Sequence, residues 1–217
     1  MKAILYIECS PRGAGSQSAR VARALLEQLQ QAAPQARVIE RNLSADPPPL
    51  ISRAYAEAVL AGALTGDPGE VAVFDYSEML IDELEQSDCL VIGTPMHNYT
   101  VPAALKAWID HVVRIHRTFR GTPAGKMGLL PDRPTYIVVA AGGIYTGDEA
   151  RQPDFLTPYL RSILATIGIR SVEFLALEGL TRRPLTDAEV EHRAWSLLNA
   201  SSDDGAKTRL PELNAAR

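Results

Sequence analysis

A serine-rich loop follows the first apolar segment of the chain. In CSPRGAGSQSAR (9–20), small and hydroxylated residues join AILYIE (3–8) to a segment with helical spacing. Helix N-terminal amides, the helix dipole and serine hydroxyls together favour a phosphate. No Gly-Lys-Ser/Thr follows, and no third glycine occupies the helix-packing position, so this is neither a P-loop nor a full dinucleotide motif. The pattern predicts one phosphate held by Ser10, Ser16 and Ser18; a serine-capped helix after a flexible turn is the open alternative.

A second group of reactive or polar side chains stands where the apolar run CLVIG (89–93) leads into another helical pattern. Asn98 and the backbone amides could hydrogen-bond the edge of a heterocycle, and Met96 and Tyr99 could pack on its ring. The alternative places Met96 and Tyr99 in the core and His97 on a surface loop. We assign His97 no catalytic role, because a lone histidine is more often structural.

A third candidate lies in VVAAGGIYTG (138–147). Paired glycines, Gly142 and Gly143, permit a close approach of the backbone to a ligand, and Tyr145 would cover that ligand. A glycine turn that merely ends a strand explains the same pattern, so both interpretations stay open here.

These loops need a scaffold that brings them together. Four apolar runs and a weaker fifth predict strands that do not alternate between apolar and polar residues, as expected for a parallel sheet covered on both faces. They are AILYIE (3–8), ARVIERNL (36–43, the weaker one), CLVIG (89–93), TYIVVAA (135–141) and VEFLAL (172–177). Helical patterns lie between them, which predicts a doubly wound α/β domain with its ligand beyond the carboxyl ends of the strands.

Helical patterns also fill the longest connection. Residues 44–88 contain two amphipathic stretches, roughly 51–63 and 76–87, separated by TGDPGE. We interpret this segment as a helical insertion between strands two and three. The chain is then one domain over residues 1–200 with a polar C-terminal tail over 201–217.

Composition excludes several classes of protein. A net charge of -4 over 217 residues argues against a nucleic-acid partner, which requires a basic face. No stretch approaches the ~20 apolar residues that span a bilayer, so no membrane partner is expected. MKAILYIECS is too short for a signal peptide, and we expect a cytoplasmic protein.

Metal and thiol chemistry find little support. Cys9 and Cys89 form no metal or redox motif and are expected to be small buried residues, too far apart for a disulfide. In the predicted helix over 102–116, His111 and His116 do not share a face, so we predict no metal site. The absence of a dedicated acid, base or nucleophile is expected where a bound cofactor carries the chemistry.

Several segments together resemble the FMN-dependent NADH azoreductase and NAD(P)H:quinone oxidoreductase family. The likeness extends to about residue 200. It runs through LYIECSPRGAGSQS, RNLSADPPPL, DELEQSDCLVIGTPMHNYTVPAALKAWID, RTFR, GGIYTG and TPYLRSILATIGI. The resemblance implies a flavodoxin-like fold, with a five-stranded parallel sheet in the order 2-1-3-4-5 and helices on both faces.

The resemblance also implies the residues that bind the cofactor. The FMN phosphate would lie at Ser10, Ser16, Gln17 and Ser18. The isoalloxazine would lie along Pro95, Met96, His97, Asn98 and Tyr99. Gly142 and Gly143 would lie under its pyrimidine edge, and Phe119 would wall the substrate pocket.

Family members are homodimers with each flavin near the subunit interface, and they work by ping-pong hydride transfer. The resemblance therefore implies that NADH or NADPH reduces FMN, which then reduces a quinone or an azo compound. Two rival functions stay open: a flavodoxin-like electron carrier or regulatory flavin-binding module without its own turnover, and a flavin-free nucleotide-binding protein.

Two departures from the family pattern bear on specificity. His97 stands where tyrosine is usual, and Ala140 and Ala141 replace a common serine and arginine. The choice between NADH and NADPH and the acceptor itself are therefore not determined by the sequence.

Overall fold

The fold is built on short β-strands. The computed structural model describes residues 1–61, 72–181 and 183–203. Over these residues the strands are β1 Ala3–Glu8, β2 Arg37–Asn42, β3 Cys89–Pro95, β4 Phe119–Thr122, β5 Gly125–Gly128, β6 Thr135–Ala140 and β7 Val172–Leu177. The five apolar runs of the sequence match β1, β2, β3, β6 and β7 closely.

Those five strands form one parallel sheet in the order β2-β1-β3-β6-β7. The strand numbering differs from the predicted 2-1-3-4-5 because β4 and β5 pair with each other as an antiparallel hairpin between β3 and β6. When only the five strands of this sheet are numbered, the order is the predicted 2-1-3-4-5. The hairpin was missed because its strands are short, glycine-rich and largely exposed, so they carry no apolar run.

Helices cover both faces of the sheet, as predicted. The helices of the described residues are α1 Gln17–Ala32, α2 Arg53–Leu60, α3 Asp75–Glu85, α4 Ala103–Val112, α5 Thr157–Ile167 and α6 Asp187–Asp203. Helices α3, α4 and α5 pack on the face that carries Leu5 and Ile7, and α1 and α6 pack on the face that carries Ile4 and Tyr6. Successive strand residues point to opposite faces, so each buried strand contributes to both cores.

Helix α4 ends one turn earlier than predicted. The expected helix ran to His116, but the helix stops at Val112 and His116 has a positive φ of 65°. The hydroxyl of Thr118 donates to the Val112 carbonyl at 2.6 Å and accepts the Arg114 amide at 3.0 Å. These side-chain bonds replace helical ones, so the chain turns away from the helix axis.

The long connection contains α2 and α3, as expected of a helical insertion, whereas TGDPGE lies outside the described residues. The predicted tail begins differently: residues 201–203 continue α6, and the rest of 201–217 lies outside the described residues. Within the described ranges, no helix is both long and apolar enough to cross a membrane.

Candidate cofactor site at the carboxyl edge of the sheet

The register of the parallel strands brings the three candidate loops to one edge. At this edge the ladder continues beyond the strands: the Cys9 amide donates to Gly93 at 3.0 Å and the Met96 amide to Ala140 at 2.8 Å. The loops that follow β1, β3 and β6 are therefore neighbours. This edge is where ligands bind in open parallel sheets.

The serine loop places buried hydroxyls at the start of α1. Ser16 is the N-cap, and its hydroxyl accepts the Ala19 amide at 3.2 Å, so the serine-capped helix of the alternative interpretation is present. The hydroxyls of Ser16 and Ser18 lie 3.2 Å apart, and both residues are buried. Ser10 is buried as well, and its hydroxyl oxygen accepts the Arg12 amide at 3.3 Å.

Backbone donors complete this end of the site. The amides of Gln17 and Ser18 have no acceptor among the described residues, as expected in the first turn of a helix. The Gln17 side chain is engaged elsewhere, because its Oε1 accepts the Leu185 amide and the Arg20 guanidinium, each at 3.0 Å. Gln17 could therefore contact a phosphate through its amide, not through its side chain.

The second loop is a tight turn with unusual backbone angles. The amides and carbonyls of His97 and Thr100 pair at 2.9 and 3.0 Å across Asn98 and Tyr99. Asn98 has φ 49° and Tyr99 has φ 70°, the arrangement of a type I′ turn. Asparagine tolerates this region, but tyrosine is strained there by about 1–2 kcal/mol.

The side chains of this turn differ in how deeply they are buried. Met96 is half-buried against the core, with its sulfur 3.2 Å from Nε2 of Gln152. Tyr99 is 47% exposed, so the alternative that placed it in the core is wrong. His97 and Asn98 are exposed, and the Asn98 side chain forms no hydrogen bond within the described residues.

A cavity of about 700 Å³ opens beside this turn. Its lining is mainly apolar and includes one cation. The lining residues are His97, Asn98, Thr100, Val101, Ala103, Lys106, Phe155 and Tyr159. Three of these residues were not predicted from the sequence: Lys106 and Tyr159 lie on α4 and α5, and Phe155 lies just before α5, where the pattern indicated only packing. The ammonium of Lys106 is paired with Asp110 at 2.5 Å.

The third loop presents two free donors. The amides of Gly142 and Gly143 have no acceptor among the described residues. A Cβ at Gly142 would lie 2.8 Å from Thr181, and a Cβ at Gly143 would lie 2.3 Å from Gln152. A larger residue would therefore have to displace the Thr181 side chain at Gly142 or the end of the Gln152 side chain at Gly143.

The two predicted pocket residues lie away from the cavity. Tyr145 is buried in the core beneath the loop, where burial, Asp154 and Glu178 raise the pKa of its hydroxyl. Phe119 lies on the hairpin, buried under Lys126, whose ammonium is 5.0 Å from the ring centroid. Neither contacts the 700 Å³ space in this chain, and their roles toward a substrate stay predictions.

Both cysteines are buried, as expected. Burial raises the pKa of Cys89 to about 12 and raises that of Cys9 further, so neither thiol forms a thiolate readily. The described residues contain no cluster of three or more histidine, cysteine, aspartate or glutamate side chains that could hold a metal ion.

The donor set fits FMN. Three buried serine hydroxyls and two free amides at the start of a 16-residue helix suit one dianionic phosphate. At the other end of the edge, the free glycine amides suit the carbonyl-rich side of a flavin ring. Met96, half-buried against the core, offers a surface for a flat ring.

Comparisons with known proteins agree with this geometry. A family described as Flavodoxin-like fold matches residues 2–198. FMN-dependent NADH:quinone oxidoreductase 4 of Pseudomonas fluorescens is 50% identical over 180 residues, covering 83% of this chain and 85% of the relative. FMN-dependent NADH:quinone oxidoreductase 5 of Burkholderia lata is 52% identical over 180 residues, covering 83% of this chain and 86% of the relative.

A solved structure is similar over nearly the same length. It is an FMN-dependent NADH-azoreductase from Bacillus anthracis in complex with FMN, with a TM-score of 0.76 and 25% sequence identity. The similarity covers 93% of this chain and 98% of that chain. The family match includes every strand described above and all three loops of the candidate site.

Proposed function

This chain belongs to the flavodoxin-like family of FMN-dependent NADH:quinone oxidoreductases, and we propose that it reduces quinones or azo compounds at the expense of NADH. When bound, FMN supplies the hydride chemistry, accepting from the nicotinamide and donating to the acceptor in alternate half-reactions. The protein supplies binding, orientation and a shaped space for the flat reactants.

The observation that carries this proposal is the pairing of two kinds of free donor at one sheet edge. Buried serines and free amides begin α1, and the unpaired amides of Gly142 and Gly143 follow β6. A single phosphate at one end and a polar ring edge at the other describe FMN better than a dinucleotide. The names of the relatives support the same cofactor and reductant.

Each loop then has a distinct task. Ser10, Ser16 and Ser18 with the first amides of α1 hold the phosphate. Asn98 would hydrogen-bond the edge of the flavin ring, and Met96 would pack on its face. The amides of Gly142 and Gly143 would donate to the pyrimidine side of bound FMN and so would stabilise negative charge there.

The two replaced residues act through their backbones. The Ala140 carbonyl accepts the Met96 amide at 2.8 Å, and the Ala141 amide donates to Leu177 at 2.8 Å. These bonds do not depend on side chains. We therefore propose that losing the polar pair leaves FMN binding intact and alters only the preference for nicotinamide and acceptor.

FMN binding tests the proposal directly. Purified protein is expected to be yellow and to oxidise NADH steadily when a quinone is added. Ser18→Ala should weaken FMN binding about tenfold, because a charge-assisted hydrogen bond to the phosphate is lost. Exposed Ser162→Ala serves as the control and should leave the affinity unchanged. Protein that takes up no FMN would overturn the proposal.

The alternative function, an electron carrier, differs from the proposed enzyme in having no catalytic turnover of its own. A carrier needs only an exposed flavin edge, whereas an enzyme needs space for a second flat molecule, and the 700 Å³ cavity beside the turn offers that space. Steady NADH oxidation with a quinone excludes a pure carrier. FMN binding without such oxidation would favour the carrier.

We also propose that the chain forms a homodimer. Large apolar side chains are exposed near the cavity mouth and on the insertion: Phe155 is 60% exposed and Leu50 is 83% exposed. Association of two copies would remove such surface from water. Light scattering of the purified protein should give twice the mass of the chain. The cytoplasmic location stays a prediction of the sequence.

A further inference from the structure

A segment not yet assigned a role lies against the glycine loop. Residues 178–181 follow β7, and we call them the backing segment. Three carbonyls of the glycine loop accept hydrogen bonds from it. The Leu180 amide donates to Ala141 at 3.3 Å, the Thr181 hydroxyl to Gly142 at 3.2 Å, and the Gly179 amide to Gly143 at 3.4 Å.

The geometry of the peptide unit shows which way the amides of Gly142 and Gly143 point. In a trans peptide unit, the carbonyl and the following N–H point in opposite directions. The Ala141 carbonyl shares a unit with the Gly142 amide, and the Gly142 carbonyl shares one with the Gly143 amide. Because both carbonyls face the backing segment, both amides face away from it.

Glu178 holds the other half of the loop. One carboxylate oxygen accepts the amides of Tyr145 and Thr146 at 2.6 and 2.8 Å, and the other accepts the Thr146 hydroxyl at 2.8 Å. These bonds fix the chain immediately after Ile144. The loop is thus tied to the end of β7 on both sides of its free glycine amides.

We propose that Glu178 and Thr181 are positioning residues that aim the amides of Gly142 and Gly143 at the polar ring edge of FMN. This role rests on the proposed function. Neither side chain needs to touch the cofactor: Thr181 acts through the Gly142 carbonyl, and Glu178 acts through the amides of Tyr145 and Thr146. Loss of either contact frees the peptide units to rotate, so the donors no longer point together.

Paired variants at Glu178 separate positioning from charge. Glu178→Gln keeps an oxygen that accepts both amides and a nitrogen that donates to Thr146, so FMN affinity should stay within about twofold. Glu178→Ala removes all three contacts and should weaken FMN binding about tenfold. Glu173→Ala, at a half-buried glutamate of β7, is the control and should leave the affinity unchanged.

Thr181 provides a second, milder test. Thr181→Val keeps the shape but loses the hydroxyl, and it should lower the flavin reduction potential, because the amides stabilise the reduced ring less well. Thr181→Ser should restore the potential. Melting curves of the cofactor-free variants show whether the fold itself has changed.

The outcomes are distinct. If the unchanged protein binds no FMN, the proposed function fails. If it binds FMN and the alanine and valine variants match it in affinity and potential, the positioning role is wrong. Weakened binding in Glu178→Ala with recovery in Glu178→Gln supports it.

Discussion

At the scale of single residues, the turn after β3 adopts backbone angles that its residues do not prefer, and it lies at the candidate site. Tyr99 has a left-handed backbone and is about half exposed, two features that packing alone does not favour. The turn is held by paired bonds between His97 and Thr100 and by the Phe155 amide, which donates to the Tyr99 carbonyl at 3.1 Å. The strained turn therefore keeps Asn98 and His97 beside the cavity.

The role of the His97 side chain can be tested by replacing His97 with tyrosine, the residue usual at this position in the family. Its backbone bonds to Thr100 do not depend on the side chain, which is exposed and lines the cavity. His97→Tyr should therefore leave FMN affinity within about twofold and change KM for the quinone acceptor instead. Fluorescence titration with FMN and steady-state kinetics measure the two effects. A tenfold loss of FMN affinity would contradict this assignment.

At the scale of elements, the hairpin and α5 meet through two glycines. Gly168 ends α5 with φ 110°, and a Cβ there would lie 2.2 Å from the Leu130 carbonyl oxygen. A Cβ at Gly128 would lie 2.2 Å from the Gly168 nitrogen. The Leu130 amide also donates to Ile167 at 3.0 Å, so backbone packs directly on backbone at this crossing.

This crossing predicts a large difference between two glycine variants. Gly168→Ala combines an unfavourable φ with a backbone clash and should lower the free energy of unfolding by about 3 kcal/mol. Gly147 also has a positive φ, of 66°, but open space around it, so Gly147→Ala should cost only about 1 kcal/mol. Urea denaturation measures both. Equal losses would show that the clash is relieved by small movements.

At the scale of the whole molecule, carboxylates join distant parts of the chain. Asp132 accepts the amides of Arg133, Arg170 and Ser171, which ties the start of β6 to the start of β7. Burial opposes its ionisation, but the bonds from Ser171 and Arg170 outweigh burial and lower the pKa of Asp132. Glu78, between Arg117 and Arg114, also has a lowered pKa despite burial.

These lowered pKa values predict acid sensitivity. A carboxyl whose pKa is lower in the folded state stabilises the fold above its unfolded pKa, and that stability is lost as pH falls through the folded value. The free energy of unfolding should therefore decrease below about pH 4. Asp132→Asn should lower stability at neutral pH and make the acid loss shallower. A parallel pH profile for this variant would contradict the role of Asp132.

The sequence by itself determined the features that depend on neighbours along the chain. Apolar runs predicted the five sheet strands, and small or polar loops followed β1, β3 and β6. Only the tertiary structure decided what depends on register between distant strands. Three features depend on contacts that no periodicity reports: the hydrogen bonds between residues 178–181 and the glycine loop, the end of α4 at Val112, and the cavity beside Lys106 and Phe155. The alternation of residues along a strand determines which face of the sheet a side chain lies on. The direction of a loop's amides depends on hydrogen bonds to residues that are distant in the sequence.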